Sequence, residues 1–212
     1  KKYKKIKKKL NIIVERNIVY VSDNIGFLYA YDYIRKKIIW AKNFKVPFRS
    51  NLKILGNRLL ASNQNNTLNF YDISNGNLLK LIPTEETIVK NKFINNLSLY
   101  GSTSFFLNTY GSLYSLNNDE ININWFINLN QSLDINPSNL FLGTPIINDK
   151  DNVITSSNEF LYVLDLITGS IKFKKNFPTF IQPIVANKKL FIITKNGMLI
   201  SMSLEDGNII YS

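Results

Sequence analysis

The chain has 212 residues, 45% hydrophobic and 13% aromatic, enough apolar mass to bury a sizeable core and well outside the disordered class. Formal charge is +11, but seven lysines fall within the first ten residues; the remainder carries 19 basic against 15 acidic side chains, only +4. Cysteine and histidine are absent, which excludes disulfides, thiolate or imidazole metal sites, haem ligation through those residues, and Ser-His or Cys-His catalysis from this stretch.

Residues 1–10, Lys1 to Leu10, form a basic segment in which Tyr3 and Ile6 read as the end of an upstream strand with lysines on its solvent face. The first structural copy, 11–47, predicts a strand from Ile18 to Val21, a turn from Ser22 to Gly26, a strand from Phe27 to Asp32, a turn from Tyr33 to Lys37 and a strand from Ile38 to Phe44. In its second strand Leu28 and Ala30 share one face and Phe27, Tyr29 and Tyr31 the other. Both faces are largely apolar, as expected of a sheet sandwiched between two others. The second copy, 48–90, repeats the pattern through Leu59-Leu60-Ala61, a turn at Asn63 to Asn66, and Leu68 to Asp72, with Asn75-Gly76 supplying positive φ angles for the next turn. Copies three, four and five span 91–131, 132–178 and 179–212. No helical periodicity is sustained over ten residues; Thr84 to Phe93 is the nearest candidate and fits a strand equally well.

The five copies share one register, anchored where the second hairpin strand ends: Asp32, Asp72, Asn117, Asp165 and Ser203. A leucine stands four residues earlier (Leu28, Leu68, Leu113, Leu161, Leu199), and Trp40, Lys80, Trp125, Phe173 and Tyr211 stand eight residues later. Twelve residues before the anchors come Tyr20, Leu60, Phe105, Val153 and Phe191, so the register reads as gapless in every copy and all length variation falls outside it. Six before the anchors, Gly26, Asn66, Gly111, Glu159 and Gly197 share a slot that favours residues tolerant of a left-handed backbone. A period near forty with alternating strands indicates stacked β-blades, since one small sheet cannot bury its own faces.

Phe27-Leu28-Tyr29-Ala30-Tyr31-Asp32 followed by Trp40, and Phe160-Leu161-Tyr162-Val163-Leu164-Asp165 with Gly169 and Phe173, resemble the pyrroloquinoline-quinone-type β-propeller repeat. The resemblance covers essentially 11–212 and implies an all-β propeller of about five four-stranded blades, an incomplete arc of a seven- or eight-bladed ring. Lys1 at the start, and a last copy that stops at Tyr211-Ser212, fit that reading as a fragment. Each anchor aspartate is expected to accept N–H bonds from the turn that Gly76, Gly169 and Gly207 complete, and each aromatic to fill space between blades.

Two functional classes follow from the resemblance. Quinoprotein dehydrogenases hold a quinone and calcium, often beside paired cysteines, which this chain lacks. The non-catalytic branch, including an outer-membrane assembly lipoprotein, binds proteins through rim loops. The latter is favoured: no enzyme, no cofactor, no metal site, and no catalytic or partner-binding residue assigned. A protein partner is expected, an outer-membrane assembly β-barrel protein among the candidates, with periplasmic, outer-membrane-associated localisation. Membrane attachment would need an upstream segment, and the modest charge of the body gives no reason to expect nucleic acid. Asp149-Lys150-Asp151-Asn152 alternates oxygen ligands like a calcium loop, but Phe160 stands where an EF-hand needs its closing glutamate. It reads as a solvated turn. Glu85-Glu86 and Asp119-Glu120 fall in connections between strands.

Overall fold

Period-two alternation in every copy becomes a four-stranded antiparallel meander in the computed structural model, which describes residues 8–85, 94–130, 141–157, 159–179 and 181–212. The chain divides into two compact units, Lys1–Ile94 and Asn95–Ser212. The first holds blade one, β1 (Leu10–Glu15), β2 (Ile18–Asp23), β3 (Phe27–Asp32) and β4 (Lys37–Asn43), and blade two, β5 (Lys53–Leu55), β6 (Arg58–Ser62), β7 (Leu68–Asp72) and β8 (Leu78–Ile82). The second holds blade three, β9 (Asn96–Tyr100), β10 (Thr103–Leu107), β11 (Ser112–Asn117) and β12 (Asn122–Asn128), and blade four, β13 (Ile147–Asn148), β14 (Asn152–Ser156), β15 (Leu161–Asp165) and β16 (Ile171–Lys175). Blade five completes it with β17 (Ile184–Ala186), β18 (Lys189–Ile193), β19 (Leu199–Ser203) and β20 (Ile209–Tyr211). No helix occurs among the described residues, and most of Thr84 to Phe93 lies outside them.

Blades stack face to face, and the stacking residues recur at fixed positions. In the first unit Tyr20, Leu28, Ala30 and Trp40 of blade one meet Leu59, Ala61 and Tyr71 of blade two. In the second, Phe105 and Leu113 of blade three, with Trp125 against them, meet Val153, Tyr162 and Leu164 of blade four. Ile154, Leu161 and Val163 of blade four then meet Leu190, Ile192, Ile200 and Met202 of blade five. Full burial of one such side chain contributes about 1.5–3 kcal/mol, so these joints dominate the stability of each unit.

The five hairpins are not all alike. In blades one, two, three and five the turn between the second and third strands carries a left-handed residue, Gly26 (φ +107°), Asn66 (+64°), Gly111 (+86°) or Gly197 (+81°). Gly111 N–H bonds Asn108 O while Asn108 N–H bonds Ser112 O, a three-residue loop with a bulged glycine. Blade four differs by one residue. There Asn152 pairs with Asp165 and Ser156 with Leu161, whereas Arg58 pairs with Asp72 and Ser62 with Leu68 in blade two. Ser157 N–H closes directly on Phe160 O, so the turn is one residue shorter. The gapless register therefore fails in copy four: Ile154, not Val153, is the counterpart of Tyr20, since each is the cross-strand partner of the residue two before its anchor.

The turn after each anchor is the same in all five blades. The residue four past the anchor is left-handed every time: Lys36 (φ +53°), Gly76 (+71°), Ile121 (+52°), Gly169 (+72°) and Gly207 (+69°). Of Asn75-Gly76 only the glycine is left-handed; Asn75 instead accepts the Asn77 N–H through its side chain at 2.8 Å. Lys36 is exposed and has a Cβ where three blades have none. A left-handed L-residue costs roughly 1–2 kcal/mol, partly offset by the entropy of a new glycine, so Lys36→Gly is expected to stabilise the protein by about 0.5–1 kcal/mol in denaturant unfolding.

Each blade also carries one β-bulge between its third and fourth strands. Ala30 pairs with Trp40 and the next residue, Tyr31, with Ile38, leaving Ile39 extra; the same shift recurs at Phe70/Tyr71, Ser115/Leu116, Val163/Leu164 and Ser201/Met202. The extra residue re-aims the following side chain, which puts Trp40, Trp125 and Phe173 on the face turned to the next blade.

Candidate functional site

The residues singled out by sequence converge on a corner-and-dock unit. Asp32 Oδ1 accepts the N–H groups of Ile34 (3.0 Å) and Arg35 (2.8 Å), and Asp165 Oδ1 those of Ile167 (3.0 Å) and Thr168 (2.9 Å). Asn117 Oδ1 does the same for Asp119 and Glu120, and Ser203 Oγ accepts from Glu205. The glycine N–H then bonds the anchor's carbonyl oxygen, at 2.8 Å in Gly76 and 3.0 Å in Gly169 and Gly207. The tryptophan of the preceding blade lies on this corner. Trp40 Nε1 donates to Ile73 O at 3.1 Å and Trp125 Nε1 to Leu166 O at 3.2 Å. A Cβ on Gly76 would come within 2.6 Å of the Trp40 ring, on Gly169 within 2.5 Å of Trp125, and on Gly207 within 2.7 Å of Phe173. Only glycine lets the ring seat there.

These contacts assign the anchor acids to structure. Backbone N–H bonds hold Asp32 and Asp165 below the ordinary carboxylate value of 3.8, Arg35 N–H and Thr168 N–H being the chief causes; bonds from Ser74 lower Asp72, and the Asn208 N–H lowers Asp206. A lowered folded-state value means the stabilisation is complete above the unfolded value and lost as pH falls through the folded one. The melting temperature is therefore expected to be level above about pH 5 and to drop below about pH 4. Asp165→Asn, which keeps the accepting Oδ1 as Asn117 does, is expected to retain the fold and to show a shallower acid loss than wild type in the same melting series.

The other acidic pairs remain turn residues. Asp149 Oδ1 accepts the N–H groups of Asp151 and Asn152, and Lys150 pairs with Asp151 at 3.7 Å. Glu120 accepts from the Asn122 amide, while Glu86 lies outside the described residues. Among the described residues no three acidic side chains come together to hold a cation. Of the basic head, Lys8 and Lys9 are described: Lys8 pairs with the buried Asp23 at 3.5 Å, and Lys9 N–H bonds Asn24 Oδ1.

The two ends of each blade differ. One carries the tight turns after the first and third strands, and in the first unit a cleft of about 350 Å³ opens there over Trp40, Tyr20 and Ile18, bordered by Glu15, Arg16 and Asn57. Sequence pattern gave no sign of it, because the cleft is made by residues from two copies. The opposite end carries the hairpin turns together with the described residues of the crossovers between blades, 44–52, 129–130, 141–146, 176–179 and 181–183. Where described, the crossovers are pinned at their roots: Phe44 N–H to Gly26 O and Leu129 N–H to Gly111 O, each 2.8 Å, and Pro47 and Pro178 carbonyls accept from Gln64 and Lys195. Phe44, Phe48 and Tyr71 pack beneath the first crossover, Phe44 and Tyr71 at 4.8 Å between centroids. Variable loops thus stand on fixed roots.

No curated protein matches the chain. Among solved structures it resembles BamB from Moraxella catarrhalis, at 14% identity and TM-score 0.79 over 96% of this chain and 62% of that one. It also resembles the computationally designed Ika8 protein (12%, 0.69, 91% and 57%) and Saccharomyces cerevisiae Sqt1 (15%, 0.67, 93% and 59%). The chain thus spans about three fifths of the length of these relatives, and likeness at such identities concerns the fold. The repeat register, the docked corners and a match over residues 6–212 together place the chain in the β-propeller family described as outer membrane protein assembly factor BamB.

Proposed function

We propose that the chain is a non-catalytic scaffold that binds protein partners during outer-membrane protein assembly, on the periplasmic side and associated with the outer membrane. The observation that carries this reading is the family match over residues 6–212. The geometry agrees with it: the anchor acids and docking aromatics are occupied in holding blades together, while the segments that vary between copies stand on pinned roots at one end. Rigid blades fix the spacing of these loops, so a partner would meet a preorganised surface and lose little binding energy to ordering it. The partner proposed is the β-barrel protein at the centre of outer-membrane assembly.

The test is site-specific photocrosslinking in the source organism, from Lys45 on the crossover end and from Ser74 on the opposite end of the same unit. Adducts with the assembly β-barrel protein from Lys45 are expected, together with reduced levels of outer-membrane β-barrel proteins when the chain is depleted. Absence of that adduct from both positions, or adducts from Ser74 alone, would overturn the reading.

A further inference from the structure

The cleft over Trp40 contains a polar group that packing does not require. Tyr20 is 4% exposed and lines the cleft, and its hydroxyl has no hydrogen-bond partner among the described residues. Phe105 fills the same register position in the joint between blades three and four, paired with Ser115 as Tyr20 is with Ala30. Its ring centroid stands 6.0 Å from that of Trp125, against 6.2 Å between Tyr20 and Trp40. The two joints therefore pack alike with or without the hydroxyl. Burial, and after it the Glu15 charge, raise the Tyr20 phenol above its ordinary value of 10.0, so it stays protonated and able to donate.

The rim of the cleft is also particular to this joint. Glu15 and Arg16, at the turn between β1 and β2, stand where blade three has Tyr100 and Gly101. Both are exposed, and neither enters an ion pair among the described residues. Opposite charges side by side disfavour a ligand of either net charge and suit a neutral one that both donates and accepts hydrogen bonds. Ile18, Ile39 and Ile73 add apolar lining. Trp40, 9% exposed, offers no ring face on which a sugar or a base could stack. A peptide group meets these demands, since its carbonyl accepts from Arg16 or Tyr20 and its N–H donates to Glu15. The volume of about 350 Å³ lies near the lower end of ligand sites, about 300–1,000 Å³, and suits one side chain with the amides beside it.

We propose that the cleft binds an extended segment of another polypeptide, one bulky apolar side chain entering between Ile18 and Ile73 while its flanking amides bond Tyr20, Glu15 and Arg16. The site lies at the end of the blades opposite the crossovers. It is thus separate from the surface proposed to meet the assembly β-barrel protein, and neither reading requires the other.

The test uses the purified 212-residue chain, isotope-labelled for nuclear magnetic resonance, with the blocked tripeptides acetyl-Ala-Phe-Ala-amide and acetyl-Ala-Ala-Ala-amide as probes. The chain has two tryptophans, so Trp125→Phe assigns the two indole N–H resonances. The phenylalanine peptide should shift the Trp40 resonance saturably and leave that of Trp125 in place. The alanine peptide should bind at least about tenfold more weakly, for want of a side chain to bury. Tyr20→Phe, with an unchanged circular dichroism spectrum, should weaken binding about fivefold, the worth of one hydrogen bond. Arg16→Gly, which installs the residue that blade three has there, should weaken it as well. The proposal is overturned by the lack of a saturable shift, by equal binding of the two peptides, by a matching shift at Trp125, or by undiminished binding in either variant. Saturation by methyl glucoside or inorganic phosphate in place of the peptide overturns it too.

Discussion

Replacing Trp40 with alanine is expected to destabilise the protein by about 3–5 kcal/mol, the range for truncating a large buried aromatic in a core that cannot collapse around the void. The ring is 9% exposed, packs against Tyr20, and ties blade one to blade two through its hydrogen bond to Ile73 O. Its loss would remove the ring seated on Gly76 in that corner and leave the carbonyl to water. Denaturant unfolding followed by tryptophan fluorescence would use Trp125 as the remaining reporter, since the chain has two tryptophans. A loss below about 1 kcal/mol would mean that the corner carries little of the joint. Trp40→Phe, which keeps most of the ring but cannot donate the hydrogen bond, should recover the larger part of the loss.

The second large effect concerns the seat, not the ring. Gly169→Ala combines a left-handed backbone at φ +72° with a Cβ 2.5 Å from the Trp125 ring. Backbone strain of roughly 1–2 kcal/mol and overpacking of 1–3 kcal/mol together give about 3 kcal/mol. Gly101→Ala separates the two terms: it has φ +55° but nothing within 4 Å of its Cβ, so only the backbone cost should appear. In the Trp125→Ala background the overpacking vanishes, and Gly169→Ala should then cost no more than Gly101→Ala does. Such non-additivity is the signature of direct contact, and full additivity would show that ring and glycine do not meet.

Much of this was legible in the sequence because blade-building residues recur at fixed spacing. Asp165, Gly169 and Phe173 announce strand end, turn and docking ring within nine positions, and the structure places each in that role. What escaped notice was the missing turn residue in copy four. Val153 and Ile154 are both aliphatic, so a slip of one residue still puts an apolar side chain in the expected slot, and hydrophobic pattern cannot register it. The same limit hides how deeply a residue is buried. Tyr31 and Tyr71 share a register position and look equivalent in sequence, yet Tyr71, packed against Phe44 and Phe48, is 2% exposed and Tyr31 36%. The cleft over Trp40 and the pinned crossover roots depend on residues from different copies, which a repeat alignment stacks on top of one another instead of side by side.

The direction of docking also has a consequence for synthesis. Each aromatic seats on a corner that comes later in the chain, Trp40 on Gly76 and Trp125 on Gly169, never on one already made. A ribosome must therefore add about 36 residues after Trp40 before its seat exists, about 2–7 s at ordinary elongation rates. While blade one, three or four is the newest finished blade it holds an unseated ring, Trp40, Trp125 or Phe173, and the exposed surface moves along with the growing end. Factors that guard nascent chains would meet a similar apolar face several times over, and a pause just upstream of a corner would lengthen that exposure.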